Sequence, residues 1–406
     1  MYDVIIIGAG VSGLFSAANH PPNTKGLILE KSSKPGTKLL MSGAGQCNFT
    51  RAGNIKDFLS RYGENGSKIR TALYKFNNLA VIKYFEDRGV KTLIRDDGKV
   101  FPASLRAKDI LDVLVCEASA KGFGIRFNSA VDAISQSGDT NTVGDLYTVY
   151  VGNQKYFTKK LIIATGGLSY QSTGSNGDMF EILKYLGISI VTPKPALVPI
   201  FVKDYPYSQL AGISFENAEV SIGIHKITGA VLFTHNSFSG PAILDISRYA
   251  ETNRQMAINY LPGKSVAELI NDMKKAVIGN KKTVRNFLAE TFGIPTRFAE
   301  IITDRLNSQE AVPPLPSTVA SLSGDDMKRI ATLLTCDTFL IKDTGKFNEA
   351  MATSGGVALS EIDLATFESK KYPRMFIIGE ALDIDGDTGG FNIQFAFSGG
   401  YAASLS

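Results

Sequence analysis

Three glycines near the start of the chain have the spacing of a phosphate-binding turn. Gly8, Gly10 and Gly13 follow the apolar run of residues 4–7 and precede a helical stretch, which places G-x-G-x-x-G between a strand and a helix. In such a turn the first glycine permits the sharp bend, the second lets the backbone approach a pyrophosphate, and the third lets helix and strand pack closely. The helix N-terminus then offers free N–H groups and a partial positive charge to the phosphates.

Glu30 has the position of the acid that completes a dinucleotide site. The apolar run of residues 27–29 ends in Glu30, 22 residues after Gly8. A carboxylate at this distance can accept hydrogen bonds from the ribose hydroxyls. A glycine-rich turn in an unrelated sheet has no need of this acid, so the sequence predicts a bound dinucleotide. Ala9, Ser12 and Lys31 are predicted to belong to the same site.

Three further glycine-rich stretches expose backbone that can face a cofactor. Residues 38–48 are expected to wrap the pyrophosphate and reach the redox ring. Residues 164–178 form a second loop, which leads to a helix that starts with an acid. Residues 379–394 aim a helix N-terminus at an electron-rich group, such as a flavin carbonyl. The predicted cofactor-binding residues in these stretches and near them are Lys38, Leu39, Ser42, Gly43, Gly45, Cys47, Asn48, Val131, Thr165, Gly166, Gly167, Asp178, Gly379, Glu380, Asp383, Gly389, Gly390, Asn392, Ile393 and Gln394.

The composition is that of an ordinary globular protein. The 406 residues are 44% hydrophobic and 20% charged, with a net charge of +4, which predicts two or three domains and neither a nucleic-acid platform nor a membrane-surface protein. No apolar run approaches the roughly 18 residues that span a bilayer. Cys47, Cys116 and Cys336 form no C-x-x-C, so no metal site or disulfide framework is expected. Because a strand starts at residue 3, no signal peptide is expected, and we predict a cytoplasmic protein.

The pattern of helices and strands around these loops predicts an α/β domain. Helical patterns occur at residues 12–20 and 67–88 and after Ser104, and a buried strand leads into the Ala-Thr-Gly turn at 164–166. Short strand-like runs lie between them at residues 125–134, 147–151 and 155–158. This order is typical of flavin-type dinucleotide domains rather than of nicotinamide dehydrogenases.

A different pattern begins near residue 193. Val220, Ile222 and Ile224 alternate with polar or small residues, as in a half-buried antiparallel strand, and similar runs predict a small β-barrel or an open sheet. Residues 264–308 have helical periodicity and indicate a helical insertion within the β domain. Its cations either form a basic face or, as we favour, belong to a solvated helix surface; they are Lys274, Lys275, Lys281, Lys282 and Arg285.

Four motifs resemble those of the BaiN/YhiN family of flavoproteins, which includes enzymes described as aminoacetone oxidases. The family pattern K-L-x-x-S-G-x-G-R-C-N corresponds to residues 38–48, and A-T-G-G-x-S-Y-P-x-T-G-S-x-G-D corresponds to 164–178. The pattern F-T-H-x-G-x-S-G-P corresponds to residues 233–241, and G-E-x-L-D-I-x-G-x-x-G-G-Y-N-x-Q corresponds to 379–394. The resemblance runs nearly end to end and implies FAD as the cofactor.

The resemblance also implies a fold class and a domain order. The fold is α/β, with a Rossmann-like FAD-binding domain split by an inserted β-barrel that itself carries a helical subdomain. We assign residues 1–192 and 345–406 to the FAD-binding domain. Residues 193–262 and 328–344 are assigned to the barrel, and 263–327 to the helical subdomain.

The chain departs from the family pattern at four positions. Gln46 replaces an arginine, Gln171 a proline, Ser237 a glycine and Phe391 a tyrosine. Two of these positions are expected near the flavin, and Gln46 removes a charge there. A relative's substrate therefore does not transfer directly to this chain.

His235 and Tyr170 are the predicted catalytic residues. His235 lies in one of the shared motifs and is predicted to act as an acid or base, with a structural histidine as the alternative. Tyr170 is predicted to supply a phenol near the redox ring. Cys47 is expected to be a small buried hydrophobe. The alternatives are a contact with the flavin, covalent attachment to it or a role as its redox partner.

The sequence predicts an FAD-dependent oxidoreductase that transfers hydride between the flavin and a small organic substrate. We favour reduction of an activated C=C bond, with oxidation of a small amine as an alternative and an RNA-modifying flavoprotein as an alternative of another class. No second G-x-G-x-x-G follows a strand, so NAD(P)H is expected only as a transient donor. We expect no stable nucleic-acid partner and no membrane.

Overall fold

The computed structural model describes residues 1–137, 146–308 and 312–406. Residues 138–145 of the predicted FAD-binding domain and 309–311 of the predicted helical subdomain lie outside the described residues. The chain divides into two compact units. The first unit contains residues 1–196 and 346–406, and the second unit contains residues 197–345.

Both units contain strands and helices. The strands are, in chain order, β1 Tyr2–Ile7, β2 Gly26–Leu29, β3 Thr50–Arg51, β4 Thr92–Ile94, β5 Lys99–Pro102, β6 Phe123–Arg126, β7 Ala133–Ser137, β8 Leu146–Val151, β9 Gln154–Ile163, β10 Ile190–Ala196, β11 Ile200–Val202, β12 Ser214–Ile222, β13 His225–Phe233, β14 Phe238–Ser239, β15 Gln255–Asn259, β16 Asp337–Thr344, β17 Ala352–Val357 and β18 Met375–Ile377. The α-helices are α1 Val11–Ala18, α2 Thr37–Met41, α3 Ile55–Phe58, α4 Arg70–Lys75, α5 Asn78–Glu86, α6 Ala107–Ala120, α7 Asp178–Tyr185, α8 Pro241–Ile246, α9 Val266–Ala276, α10 Val284–Phe292, α11 Thr296–Asn307, α12 Gly324–Thr335 and α13 Phe391–Leu405.

The main sheet of the first unit has the strand order β6-β2-β1-β9-β8-β7, with β18 also paired to β9. Strands β6, β2, β1, β9 and β18 are parallel. Their apolar runs, such as Ile5 and Ile6 on β1 and Ile162 on β9, are completely buried, as expected for a sheet covered on both faces. This is the predicted Rossmann-type α/β sheet, and the fold class is confirmed.

Two predicted elements of this unit are each divided in the structure. The strand predicted at 125–134 is the end of β6 and the start of β7, and these pair with different neighbours. The helix predicted at 67–88 is α4 and α5. The Oδ1 atom of Asn77 accepts a hydrogen bond from the Ala80 N–H at 2.9 Å, which starts a new helix at this point.

Strands β11-β14-β13-β12-β15-β16 of the second unit form a closed barrel. Closure depends on β11, which pairs with both β14 and β16, so the open-sheet alternative is wrong. The stretch predicted as a helical insertion contains α9, α10 and α11, whose buried residues join those of the barrel in one apolar core. Within the described residues, no helix has both the length and the apolar character needed to cross a bilayer.

Candidate cofactor site

The carboxyl ends of the parallel strands bring the predicted glycine loops to one edge of the sheet. Ile7 is in register with Leu29 on β2 and with Ile163 on β9, and Ile163 is in register with Ile377 on β18. The residues after these strands are Gly8, Glu30, Ala164 and Ile378. Ligands of open α/β sheets bind at this edge. The structure therefore places three of the four predicted loops side by side.

The three glycines of the first turn have the spatial roles that their spacing predicts. Gly8 has φ of +105°, and a Cβ atom there would lie 2.5 Å from the carbonyl oxygen of Ala164. A Cβ atom on Gly13 would overlap the carbonyl oxygen of Gly8. A Cβ atom on Gly10 would have no heavy atom within 4 Å. Gly8 and Gly13 thus permit close packing, whereas Gly10 leaves open space where a pyrophosphate can approach the backbone.

The N-terminus of α1 has hydrogen-bond donors available beside this space. The first helical bond runs from the Leu14 N–H to the Gly10 carbonyl oxygen at 2.9 Å. The N–H groups of Val11, Ser12 and Gly13 have no acceptor within the described part of the chain, and the first turn carries no acidic residue. Unsatisfied donors at a helix N-terminus are the groups that bind phosphate.

Glu30 is fixed against the glycine turn. Its Oε2 atom accepts a hydrogen bond from the Ala9 N–H at 2.7 Å, and its Oε1 atom accepts bonds from the Ser32 N–H at 2.8 Å and the Ser32 hydroxyl at 2.7 Å. Each carboxylate oxygen has lone pairs beyond these bonds. The carboxylate is therefore oriented by the protein and can still accept bonds from ribose hydroxyls.

The predicted residues Lys31 and Asp178 pair with each other. The Lys31 ammonium lies 3.0 Å from the Asp178 carboxylate and also donates to Asn176. The Asp178 side chain is 61% exposed. The ion pair attaches the loop before α7 to the end of β2, and direct cofactor contacts of these two side chains stay predictions.

Left-handed backbone gives the loop at residues 42–48 its shape. Gly43, Ala44, Gly45 and Cys47 all have φ between +53° and +86°. The N–H groups of Gln46 and Cys47 bond within the loop, to the carbonyl oxygens of Gly43 and Ser42. Backbone in turn conformations can present its other N–H groups as a concave anion-binding surface. An alanine and a cysteine tolerate this conformation less readily than glycine, so the surrounding structure must impose it. This loop is suited to contact the phosphates or the electron-rich edge of a cofactor.

Cys47, near the end of this loop, is buried. Burial raises the pKa of its thiol to about 12, with a smaller opposing effect from a hydrogen bond with Ser42. The thiolate is the reactive form of cysteine, and a thiol with this pKa stays protonated at neutral pH. The structure therefore favours the prediction that Cys47 acts as a small buried hydrophobic residue over a redox or covalent role.

One polar network connects three of the loops. The Lys38 ammonium on α2 donates to Glu380 and to the Ser169 hydroxyl, the latter at 2.5 Å. The Ser169 hydroxyl donates to Glu380 Oε1 at 2.5 Å, and the Thr353 N–H donates to the same oxygen at 2.8 Å. Lys38 and Glu380 are 28% and 18% exposed. The network fixes the relative positions of the loops at the sheet edge.

Two buried polar atoms in the predicted set lack partners among the described residues. They are Oδ1 of Asn48 and Oγ1 of Thr165. A buried polar atom without a partner costs free energy, so its presence in a native site calls for an explanation such as a bound group. With the open space at Gly10 and the free N–H groups of α1, these atoms fit a dinucleotide such as FAD.

Asn392 closes the C-terminal loop on itself. Asn392 accepts a hydrogen bond from the Gly386 N–H and donates one to the Gly386 carbonyl, both at 2.8 Å. Gly389 and Gly390 have φ of +110° and +95°, and Gly390 precedes α13. This helix has no side-chain cap and no acid in its first turn, so its N-terminus is open to a ligand, and its contact with an electron-rich group stays a prediction.

The remaining predicted residues of the first unit have contacts inside the protein. The Gln394 amide accepts from Thr50 Oγ1 at 2.5 Å and donates to the Phe76 carbonyl at 3.0 Å. The Asp383 carboxylate accepts from the Gly355 N–H at 3.0 Å. These bonds give both side chains structural roles, and their cofactor contacts stay predictions.

The other predicted residues of this unit differ in burial and in backbone conformation. Leu39 is buried, whereas Val131 and Ile393 are half-buried against the core. A Cβ atom on Gly379 would lie 2.6 Å from the Ser12 hydroxyl, and one on Gly167 would overlap Thr353. Gly166 has φ of +72°.

The two predicted catalytic residues belong to different units. Tyr170 is half-buried in the first unit and has φ of +53°, which is strained for a tyrosine. Burial raises the pKa of its phenol, so the phenol is protonated at neutral pH. His235 is exposed in the loop between β13 and β14 of the second unit. Bonds between Thr234 and Ser237 hold this loop, including one from the Thr234 hydroxyl to the Ser237 carbonyl at 2.8 Å.

Two residues at the site were not predicted from the sequence. Thr353 on β17 accepts hydrogen bonds from the Leu168 and Ser169 N–H groups at 2.8 and 3.1 Å. The only sequence signal near it is the glycine pair Gly355–Gly356. Arg95 donates to Gln46 Oε1 at 2.7 Å, and its guanidinium lies 4.0 Å from the centre of the Phe101 ring. A guanidinium thus lies beside the position where the family pattern has arginine. The glutamine at 46 was the only signal for it.

Comparison with known proteins agrees with this geometry. The family described as HI0933-like protein Rossmann domain matches residues 2–406. The chain belongs to this family. Its members are FAD-dependent oxidoreductases, so the predicted enzyme class and the resemblance stated from the motifs are confirmed.

Curated relatives match almost the whole chain. Ribosomal RNA dihydrouridine synthases from Haemophilus influenzae and Escherichia coli are each 30% identical over 99% of this chain and 97% of their own length. A 3-dehydro-bile acid delta(4,6)-reductase from Clostridium scindens is 26% identical over 98% of this chain and 97% of its own length.

Solved structures of other flavoenzymes share the fold. The 3-ketosteroid-delta4-(5alpha)-dehydrogenase from Rhodococcus jostii matches with a TM-score of 0.52 and 13% identity, covering 99% of this chain and 96% of that chain. A flavocytochrome c3 fumarate reductase matches with a TM-score of 0.50 and 15% identity, covering 99% of this chain and 77% of that chain. At these identities the likeness concerns the fold alone.

Proposed function

We propose that this protein reduces a C=C bond conjugated to a carbonyl, and that its substrate is uridine in ribosomal RNA. The observation that carries the proposal is the end-to-end similarity, at 30% identity, to two ribosomal RNA dihydrouridine synthases. A dihydrouridine synthase saturates the C5–C6 bond of uracil, which is conjugated to the C4 carbonyl. This proposal replaces the expectation, drawn from the small net charge, that no nucleic acid is bound.

The third relative supports the reaction class independently of the substrate. A delta(4,6)-reductase of a 3-dehydro-bile acid acts on double bonds conjugated to a ketone, so the two kinds of relative share one chemistry on very different molecules. The prediction from the sequence, reduction of an activated C=C bond, belongs to this class. Oxidation of a small amine has no comparable support among these relatives.

The reaction needs a hydride at the carbon β to the carbonyl and a proton at the α carbon. When bound and reduced by a donor of the nicotinamide class, FAD would supply the hydride. The residues of this chain bind and orient the cofactor. The donors at the start of α1 and the carboxylate of Glu30 hold the dinucleotide. The loop at 42–48 would contact the pyrophosphate and reach toward the redox ring of FAD.

The proton must come from the protein or from solvent through it. Tyr170 has a neutral phenol beside the glycine loop at 164–167, and the His235 side chain is exposed to solvent. Positioned acids of these types contribute about 10²–10⁴-fold to the rate. His235 is our first candidate because it lies in a motif that has no evident role in holding the cofactor.

A direct test uses the purified FAD-loaded protein and protein-free ribosomal RNA from cells that lack the gene. The RNA is incubated with the protein and NADH or NADPH, digested to nucleosides and analysed by mass spectrometry. We expect uridine at a defined site to gain two hydrogens, with free uridine unreacted. Reduction of a steroid enone but not of any RNA would assign the small-molecule substrate class. Peroxide formation from a small amine without reduction of either substrate would contradict the proposed reaction.

A further inference from the structure

The free positive charge of the helical insertion is concentrated at one end of α9. Lys274 and Lys275 lie in the last turn of this helix, Lys281 follows in the loop before α10, and Ile278 lies between them. All four side chains are exposed, and that of Ile278 is 84% exposed. We call residues 274–281 the lysine tip.

Most other cations of the insertion are neutralised by ion pairs. Lys264 pairs with Asp272 at 2.5 Å, Arg285 pairs with Glu300 at 3.1 Å, and Lys282 pairs with Glu290. Arg305 pairs with Asp337 at 2.8 Å. These cations are therefore poorly available to an external anion.

The three lysines of the tip differ from these cations. Within the described residues, none of them forms an ion pair, and the sequence contains no acid between Asp272 and Glu290. Lys275 lies close enough to Asp272 to lower the pKa of that carboxyl, but Lys264, which is bonded to it, has the larger effect. The tip thus carries about three uncompensated charges around an exposed aliphatic side chain.

A purely structural account explains only part of this arrangement. Cations in the last turn of a helix stabilise it through the helix dipole, which applies to Lys274 and Lys275. It does not apply to Lys281, which lies outside the helix, and it does not explain the exposed Ile278.

We propose that the lysine tip is the surface through which this protein binds the phosphate backbone of its RNA substrate. The ammonium groups contact phosphates, and Ile278 packs against a ribose or an unstacked base. RNA is the chosen partner because uncompensated lysines are complementary to a polyanion, and because the proposal rests on the proposed function in ribosomal RNA. This assignment gives the helical insertion a task separate from cofactor binding.

The test compares two triple variants that lose the same charge. The first is Lys274→Gln with Lys275→Gln and Lys281→Gln. The control is Lys56→Gln with Lys75→Gln and Lys342→Gln, because these lysines are also exposed and form no ion pair within the described residues. Affinity for protein-free ribosomal RNA is measured by filter binding from about 50 to about 200 mM salt. Over this range the wild type should lose about 20–40-fold more affinity than the tip variant, which corresponds to about three phosphate contacts. The control should follow the wild type.

Two further variants separate charge from packing. The triple Lys→Arg variant of the tip keeps the charge and should retain both affinity and salt dependence. Ile278→Ser should weaken binding without changing the salt dependence. FAD content and circular dichroism verify that each variant is folded.

The outcomes distinguish this inference from the proposed function. If the wild type reduces uridine in ribosomal RNA but the tip variant binds RNA like the control, the inference is wrong and the proposed function stands. If the wild type neither binds nor reduces this RNA, both are wrong. If the tip lysines instead govern sedimentation with phosphatidylserine vesicles and leave RNA affinity unchanged, the surface is a membrane contact and the inference is wrong.

Discussion

Each unit contains a polar cluster with an acidic and a basic side chain, and the two clusters differ in what they leave open. In the first unit, Lys38, Ser169, Thr353 and Glu380 connect loops beside the uncapped start of α1 and the open space at Gly10. In the second unit, the carboxylate of Asp337 accepts bonds from Tyr207 at 2.5 Å, Tyr260 at 3.0 Å and Arg305 at 2.8 Å.

The surroundings of the second cluster are those of an apolar core. The Tyr207 ring lies 5.1 Å from that of Phe233 and 5.6 Å from that of Phe298. Burial raises the pKa of both Tyr207 and Tyr260, so both phenols remain donors. Because its donors and acceptors satisfy one another, this cluster fastens α11 to the barrel and offers nothing to a ligand. The comparison shows that an acid–base cluster marks a site only where donors, space or unpartnered atoms remain beside it.

The largest expected effect concerns which unit supplies the proton. His235→Ala should lower uridine reduction by about 10²–10⁴-fold, with FAD occupancy near that of the wild type, because the side chain is exposed and belongs to the unit without the glycine loops. Tyr170→Phe is the matched variant in the first unit. Turnover and FAD absorbance are measured for both.

Three results are informative for this pair. Full activity of His235→Ala with a large loss in Tyr170→Phe would assign the proton donor to the first unit. Loss of FAD in step with activity would make His235 a structural residue. Full activity in both variants would mean that neither residue donates the proton.

The second prediction breaks the cluster of the barrel. Asp337→Ala leaves the Arg305 guanidinium and two buried phenols without their acceptor, and removal of one partner of a buried pair costs about 3–5 kcal/mol. Urea unfolding followed by circular dichroism should detect this loss in the free energy of unfolding. FAD affinity should stay near the wild-type value, and flavin fluorescence reports it separately. The double variant Asp337→Leu with Arg305→Leu should recover the part of the loss that comes from the unpaired guanidinium, whereas the part that comes from the two phenols should remain. A single variant that loses less than about 1 kcal/mol would mean that the cluster is not a fastening device.

How much was predictable depends on the distance along the chain between the groups involved. Gly8, Gly10, Gly13 and Glu30 were predictable because one strand–helix–strand unit fixes their geometry. Thr353 was not, because it reaches Ser169 through a contact between residues 184 apart in sequence. The sequence pattern could not distinguish a closed barrel from an open sheet, because closure depends on the pairing of β11 with β16, which joins residues far apart in the chain. Ion pairing likewise decides which cations of the insertion are available to an external anion, and composition alone cannot reveal which cations are paired.

The third prediction tests the open side of the first cluster. Glu30→Ala should weaken FAD binding by about 1–3 kcal/mol, because it removes charge-assisted hydrogen bonds to the ribose. It also removes the acceptor of the Ala9 N–H, so Glu30→Gln serves as the control that keeps an acceptor oxygen without the charge. Titration of the apoprotein with FAD, followed by quenching of flavin fluorescence, gives the affinities. Unchanged affinity in Glu30→Ala would show that the ribose is held elsewhere, and denaturation that releases only FMN would contradict the assigned cofactor.

The smallest expected effect concerns acid stability of the first unit. His20 is buried at the end of α1, its Nδ1 atom lies 2.8 Å from the Ser16 carbonyl oxygen, and its Nε2 atom has no partner within the described residues. Burial lowers the pKa of His20 from 6.5 to about 4, and Lys160 adds to this effect, while the bond to Ser16 opposes it. The folded state therefore disfavours the protonated ring. Stability contributed by the neutral ring is complete above pH 6.5 and is lost as the pH falls toward 4.

Between about pH 7 and about pH 5 the free energy of unfolding should fall by about 1–2 kcal/mol more in the wild type than in His20→Asn, which keeps a donor for Ser16 but does not titrate. Urea unfolding of the two proteins at both pH values measures this difference. Parallel pH dependence in wild type and variant would mean that His20 does not sense pH and that other groups set the acid limit of this unit.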